Sequence, residues 1–156
     1  MINQFDRNRQ KIVVLDSKSK LQWLTLKAGL LYFAIVFAVG FLLGTIRVLW
    51  IVPYTGTRVA ELMEMPLMFI AIVMTANWLV QRLSIPPLFW IRLGMGFVAL
   101  LCLLGAEFGP VLYLRGLSMA DYLSTRDPLS GAVYSWMLGI FTVMPWLIAL
   151  RKPRSV

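Results

Sequence analysis

Residues 40–66 read GFLLGTIRVLWIVPYTGTRVAELMEMP. One apolar run ends here at Pro53 and Gly56, and a second begins at once. Arg47 stands near the end of the first run, and Glu61 and Glu64 stand at the start of the second. Charges so placed are expensive in a lipid-facing helix, so they should face other helices or water. The stretch reads as two membrane helices joined by a tight turn, with their charged residues turned inward.

Composition supports that reading over the whole chain. Of its 156 residues, 60% are hydrophobic, and the mean hydropathy is +0.78. Soluble domains average about 45–50% apolar, and a soluble domain this small could not bury the excess. One membrane-embedded domain is expected. Fifteen basic residues against seven acidic ones give a net charge of +8. Basic residues flank membrane spans to set orientation. No basic patch is interleaved with exposed aromatics on a polar segment, so nucleic acid is not an expected partner. Cys102 is the single cysteine, and histidine is missing altogether. Cysteine-pair redox chemistry within the chain and haem or zinc held by histidine are thereby excluded. No cofactor or metal is expected. The first 27 residues are too long and polar for a secretory signal, so the run that follows is expected to stay in the mature protein.

The chain divides into a polar, basic segment 1–27, a membrane domain 28–150 and a basic tail 151–156. Residues 1–20 are expected to be disordered or to lie on an anionic membrane surface. Spans are expected at 28–52, 59–82, 87–114 and 131–150, each long enough for a hydrocarbon core of about 30 Å. Pro66 should kink the second span or begin its regular part. Leu117, Met119, Ala120 and Leu123 suggest a short surface helix between the last two spans. With both ends cytoplasmic, eleven basic residues fall inside, Arg58, Arg115 and Arg126 fall outside, and Arg47 lies in the membrane. That asymmetry favours N-in, C-in. Every tryptophan lies near an expected span end, as an interfacial belt requires.

Small residues and polar pairs choose contact faces between helices in lipid. Gly40, Gly44 and Arg47 share one face of the first helix by helical spacing. Glu61, Glu64, Met68, Ala71 and Thr75 share one on the second. Arg92, Gly96, Leu103 and Glu107 share one on the third, and Gly131, Ser135, Gly139 and Thr142 one on the fourth. Gly40, Gly44, Gly96, Ser135 and Gly139 are the expected packing positions, and the four stripes should line a common interior. Such faces also suit a second copy or another membrane protein as partner, besides the lipid bilayer itself.

By a rise of about 1.5 Å per residue, Arg47, Glu64 and Glu107 reach similar depth near the outer leaflet. Arg47 is expected to pair with Glu64 and Glu107, with Glu61 and Arg58 closer to water. An arginine can bridge two carboxylates through its five donors. The cluster reads either as a staple between helices or as a small polar cavity open to the outer side, taking a proton, cation or ligand.

The GTIRVLWIVP stretch, the element from Glu61 to Pro66 and the later GAEFG resemble small four-helix bacterial inner-membrane proteins, a family without an assigned activity. The resemblance covers most of residues 30–150 and implies an inner-membrane location. The fluoride channels also have a Gly-rich first helix leading to an arginine, but Gly40, Gly44 and Arg47 run one residue short of that spacing. Small multidrug transporters carry an essential glutamate where this chain has Arg47. The expected protein is an all-α, four-helix transmembrane bundle, N-in/C-in. It is read as a non-enzymatic structural or accessory component, the alternative being a small transporter or channel that uses the outer-leaflet carboxylates.

Overall fold

Hydrocarbon offers no partner to a backbone N–H or C=O, so the apolar runs must satisfy those groups within their own segments, as helices do. A computed structural model describes residues 4–115 and 128–151. The elements are α1 (Gln4–Ile46), a π-helical turn (Arg47–Ile51), α2 (Val52–Thr55), α3 (Thr57–Arg82), α4 (Phe89–Arg115) and α5 (Pro128–Arg151). Among the described residues there is no strand. Four stretches are long and apolar enough to cross a membrane: Val13–Thr55, Thr57–Arg82, Phe89–Glu107 and Gly131–Ile148. Leu42, Leu49, Met74, Phe97 and Leu101 are exposed around the outside of these helices. Such an apolar belt belongs against lipid, and the chain is a multi-pass membrane protein. The surface helix expected around Leu117, Met119, Ala120 and Leu123 lies outside the described residues.

Helix α1 has 43 residues and is about 65 Å long, roughly twice a hydrocarbon core. From Gln4 onward, the polar segment set apart by sequence is one helix with the first span. Neither glycine nor proline interrupts it before Gly29. A helix already nucleated in the membrane extends at little cost. Lys20 pairs with Asp16 at 2.7 Å one turn away, and the Lys27 ammonium sits over the Trp23 ring, 5.4 Å from its centroid.

The helices close a ring in which α1 packs on α4, α4 on α5, α5 on α3 and α3 on α1, with α1 on α4 the most extensive pair. The bundle is therefore not a simple sequential meander. Contacts fix the directions. Thr25 lies beside Gly94 and Gly29 beside Val98, so α1 and α4 run parallel. Gly40 lies beside Met68 and Arg47 beside Glu64, so α3 returns antiparallel to α1. One end of the bundle thus carries Gly56 and the other Ser84.

The Ser84 end is tightly closed. Ile85 N–H bonds to the Val80 carbonyl at 3.1 Å and Ser84 N–H to that of Gln81 at 3.2 Å, the paired bonds of a Schellman cap. Ser84 takes the left-handed conformation at φ 48°, and Ile85 is buried behind it. Arg92 is only 7% exposed. Its Nη2 donates to the Ile85 carbonyl at 3.0 Å and its Nε to that of Pro86 at 3.2 Å. A buried guanidinium is here tied to backbone oxygens freed by the turn. The core behind it comprises Ala28, Tyr32, Ala76, Leu79, Met95 and Ala99, with Phe141 and Met144.

The glycines record how the bundle opens along its length. A Cβ on Gly29 would come within 2.7 Å of Val98, one on Gly94 within 3.2 Å of Thr25, and one on Gly96 would run into the Thr142 carbonyl. Toward the Gly56 end, Gly44, Gly105, Gly131 and Gly139 have nothing within 4 Å of that position. The four helices are in close contact at the Ser84 end, and toward the Gly56 end Gly44 has open space beside it, whereas Gly105 and Gly139 are exposed on the outside of the bundle.

Candidate functional site

The open space beside Gly44 is part of a cleft, and the turn at its rim explains how charges gather there. Pro53 has no N–H to give, and the chain leaves α1 through the π-helical turn that begins at Arg47. Val52 N–H bonds to the Arg47 carbonyl across that wider turn. A π turn moves side chains off the ordinary helical register, and such turns recur at functional sites. Gly56 then reverses the chain at φ 78°, a conformation that suits a residue without a Cβ. Thr57 starts α3 immediately, so Arg47 faces the first turns of α3 across a short hairpin.

Two acids meet it there. Arg47 Nε lies 3.2 Å from Glu64 Oε2, and Nη1 lies 3.4 Å from Glu61 Oε1. The three side chains are 24%, 14% and 35% exposed for Arg47, Glu64 and Glu61. The Nε–H does not point at Glu64 and has no hydrogen-bond partner among the described residues. Charge attraction rather than fitted hydrogen bonding therefore holds this pair.

Glu107, on α4, is held differently. The Tyr134 hydroxyl of α5 donates to Glu107 Oε2. No ion pair joins Glu107 to Arg47 among the described residues. Arg47 therefore bridges Glu61 and Glu64, where the sequence led to Glu64 and Glu107. Equal depth in the membrane did not make Arg47 and Glu107 partners. Glu61 is one helical turn from Glu64 and reaches the guanidinium from the same side. Arg58 is exposed, as expected.

All four charged residues line one cavity of about 280 Å³, together with Tyr134. Its apolar walls include Phe37, Phe41, Met65, Met68, Met137 and Phe141. Below, the axis is filled. Tyr32 and Phe141 stack across it with ring centroids 4.5 Å apart, and Tyr32, Phe141, Leu79 and Met95 are fully buried. The cavity lies on the Gly56 side of that filled axis and does not continue through it among the described residues. Among the described residues, no three acidic, histidine or cysteine side chains converge to hold a metal ion.

Of the expected packing positions, Gly96 is pressed against α5, and a Cβ on Gly40 would lie 3.3 Å from the Met68 methyl. Gly44 and Gly139 have no neighbour at the Cβ position. Ser135 is exposed, and its hydroxyl bonds within its own helix to Gly131 at 2.9 Å. The small stripe of α5 therefore does not turn inward. The opposite, bulky stripe of Tyr134, Met137 and Phe141 does, because the stack on Tyr32 needs a large side chain there. Tyr134 is not among the residues singled out from the sequence. Its place one helical turn from Met137, and two from Phe141, was the signal for an inward role.

Comparison with protein-family models, with curated proteins and with solved structures finds no match for this chain.

Proposed function

We propose that this chain is a non-enzymatic integral protein of the bacterial inner membrane, with both termini cytoplasmic, that binds a small ligand in a cleft facing the outer side. The observation that carries this reading is a cavity of about 280 Å³ whose rim holds Arg47, Glu61, Glu64 and Glu107 and whose base is apolar. Small-molecule sites have that form, an apolar concavity with a few placed polar groups, and span roughly 300–1,000 Å³. The asymmetry of basic residues supports the orientation. A role as an accessory component of a larger membrane assembly is compatible with such a receptacle. The filled axis around Tyr32 and Phe141 supports binding over open conduction. A carrier function would require that plug to part, and ligand flux into proteoliposomes would reveal it.

The test is saturable thermal stabilisation of the purified full chain in maltoside micelles by small aromatic amphiphiles of positive, negative and zero charge. At least one class should raise the Tm in a saturable way. Gly44→Phe should abolish the effect, since Gly44 lines the cleft and a side chain there meets no neighbour. No stabilisation by any class, or full stabilisation of Gly44→Phe, would overturn the reading.

A further inference from the structure

The cleft is not neutral. Among the described residues its lining has three carboxylates, on Glu61, Glu64 and Glu107, against one guanidinium, that of Arg47. Arg47 is shared by the two acids on α3. Glu107 has only the neutral hydroxyl of Tyr134, with no cation within 4 Å among the described residues. That hydroxyl holds the carboxylate in place without neutralising it. A carboxylate at such depth is costly unless a positive group accompanies it. Beneath the charges lie aromatic rings and methionines: Phe37, Phe41, Met65, Met68, Met137 and Phe141. Ring faces attract cations, and methionine walls adapt to varied apolar shapes.

From charge, shape and wall chemistry together, the geometry points to a ligand class: an alkylammonium group attached to a compact apolar body, its cation set against Glu107 and its apolar part on the Phe–Met wall. This inference rests on the binding reading above and adds the sign and form of the ligand. A lipid headgroup amine and a free organic cation share that chemistry.

The probe is benzyltrimethylammonium, titrated calorimetrically into the full chain in maltoside micelles, with neopentylbenzene as its uncharged isostere. The cation should bind saturably and the isostere should not. Glu107→Gln, which keeps a hydrogen-bond acceptor for Tyr134, should weaken cation binding about tenfold while leaving the Tm of the unliganded protein within a few degrees. Glu61→Gln serves as a second variant with the same expected direction. Equal binding of the isostere, or undiminished cation binding in both variants, would overturn the cationic class and leave a cleft that binds by shape alone. Undiminished binding in Gly44→Phe would place the ligand elsewhere and overturn the binding reading too. In nanodiscs, weaker apparent affinity in phosphatidylethanolamine than in phosphatidylglycerol assigns the natural occupant to a lipid amine. Equal affinity assigns it to a free cation.

Discussion

The Tyr32 hydroxyl donates to the Phe141 carbonyl at 3.1 Å, and that carbonyl is the one Pro145 leaves without its partner four residues on. Pro145 lies inside α5 and has no N–H. In hydrocarbon, an oxygen so freed must be satisfied by a neighbouring helix. The tyrosine does this while its ring stacks on Phe141. One side chain thus corrects a backbone defect and closes the base of the cleft.

Tyr32→Phe keeps the stack and removes the hydroxyl. Interhelical hydrogen bonds in membranes average about 0.6 kcal/mol and reach about 1.7 kcal/mol. A loss near 1 kcal/mol is expected, read from reversible unfolding in mixed micelles. In a Pro145→Ala background, α5 regains its own N–H at position 145, and the same substitution should cost only a few tenths of a kcal/mol. Equal losses in both backgrounds would show that the proline is not what the hydroxyl answers.

Gly96 and Gly44 should respond oppositely to one added methyl. On Gly96 the new carbon runs into the Thr142 carbonyl, a backbone atom that cannot swing away. Gly96→Ala is expected to cost at least about 1–3 kcal/mol, the usual range for overpacking. Gly44→Ala and Gly139→Ala meet nothing within 4 Å and should leave the Tm unchanged or slightly raised. Monodispersity and thermal denaturation of the three variants in detergent check the contrast.

Arg47→Gln strands two acids that now share a cation. The pair is neither fully buried nor exposed, so the expected loss of about 1–2 kcal/mol lies between surface and buried values. Adding Glu61→Gln and Glu64→Gln to the Arg47→Gln protein should restore most of it, because the stranded charges go too. Chemical unfolding of the single and triple variants measures this. A triple variant weaker than the single would mean that the acids contribute through something other than charge balance.

Ser84 holds a left-handed backbone at φ 48° in the Schellman cap. Such a conformation strains a residue with a Cβ by about 1–2 kcal/mol, and glycine gives part of that back as chain entropy in the unfolded state. Ser84→Gly should therefore stabilise the protein by up to about 1 kcal/mol, seen as a modest rise in Tm. A fall would mean that the serine makes a contribution the backbone geometry does not account for.

The four spans were legible because each is a long apolar run closed by Pro, Gly or basic residues. The Arg47–Glu64 pair was legible because both sit a few residues from one short turn. Glu107 was not, since counting residues gives height in the membrane but not position around the ring. The diagonal placement of α3 and α4 depends on packing across the axis, which no local pattern records. Glycine stripes misled on α5 because a small side chain permits close approach without demanding it. The helical start of α1 escaped because its apolar and charged residues are spread around every side, so no period marks it.

That unbroken α1 has a mechanical meaning. From Gln4 to Ile46 no hinge separates the part beyond the bilayer from the part that lines the cleft. This rod is clamped against α4 from Thr25 beside Gly94 to Gly29 beside Val98, with Ala28, Tyr32 and Val36 buried along the same stretch. One continuous helix therefore joins the charged N-terminal arm to Gly40 and Gly44 at the cleft.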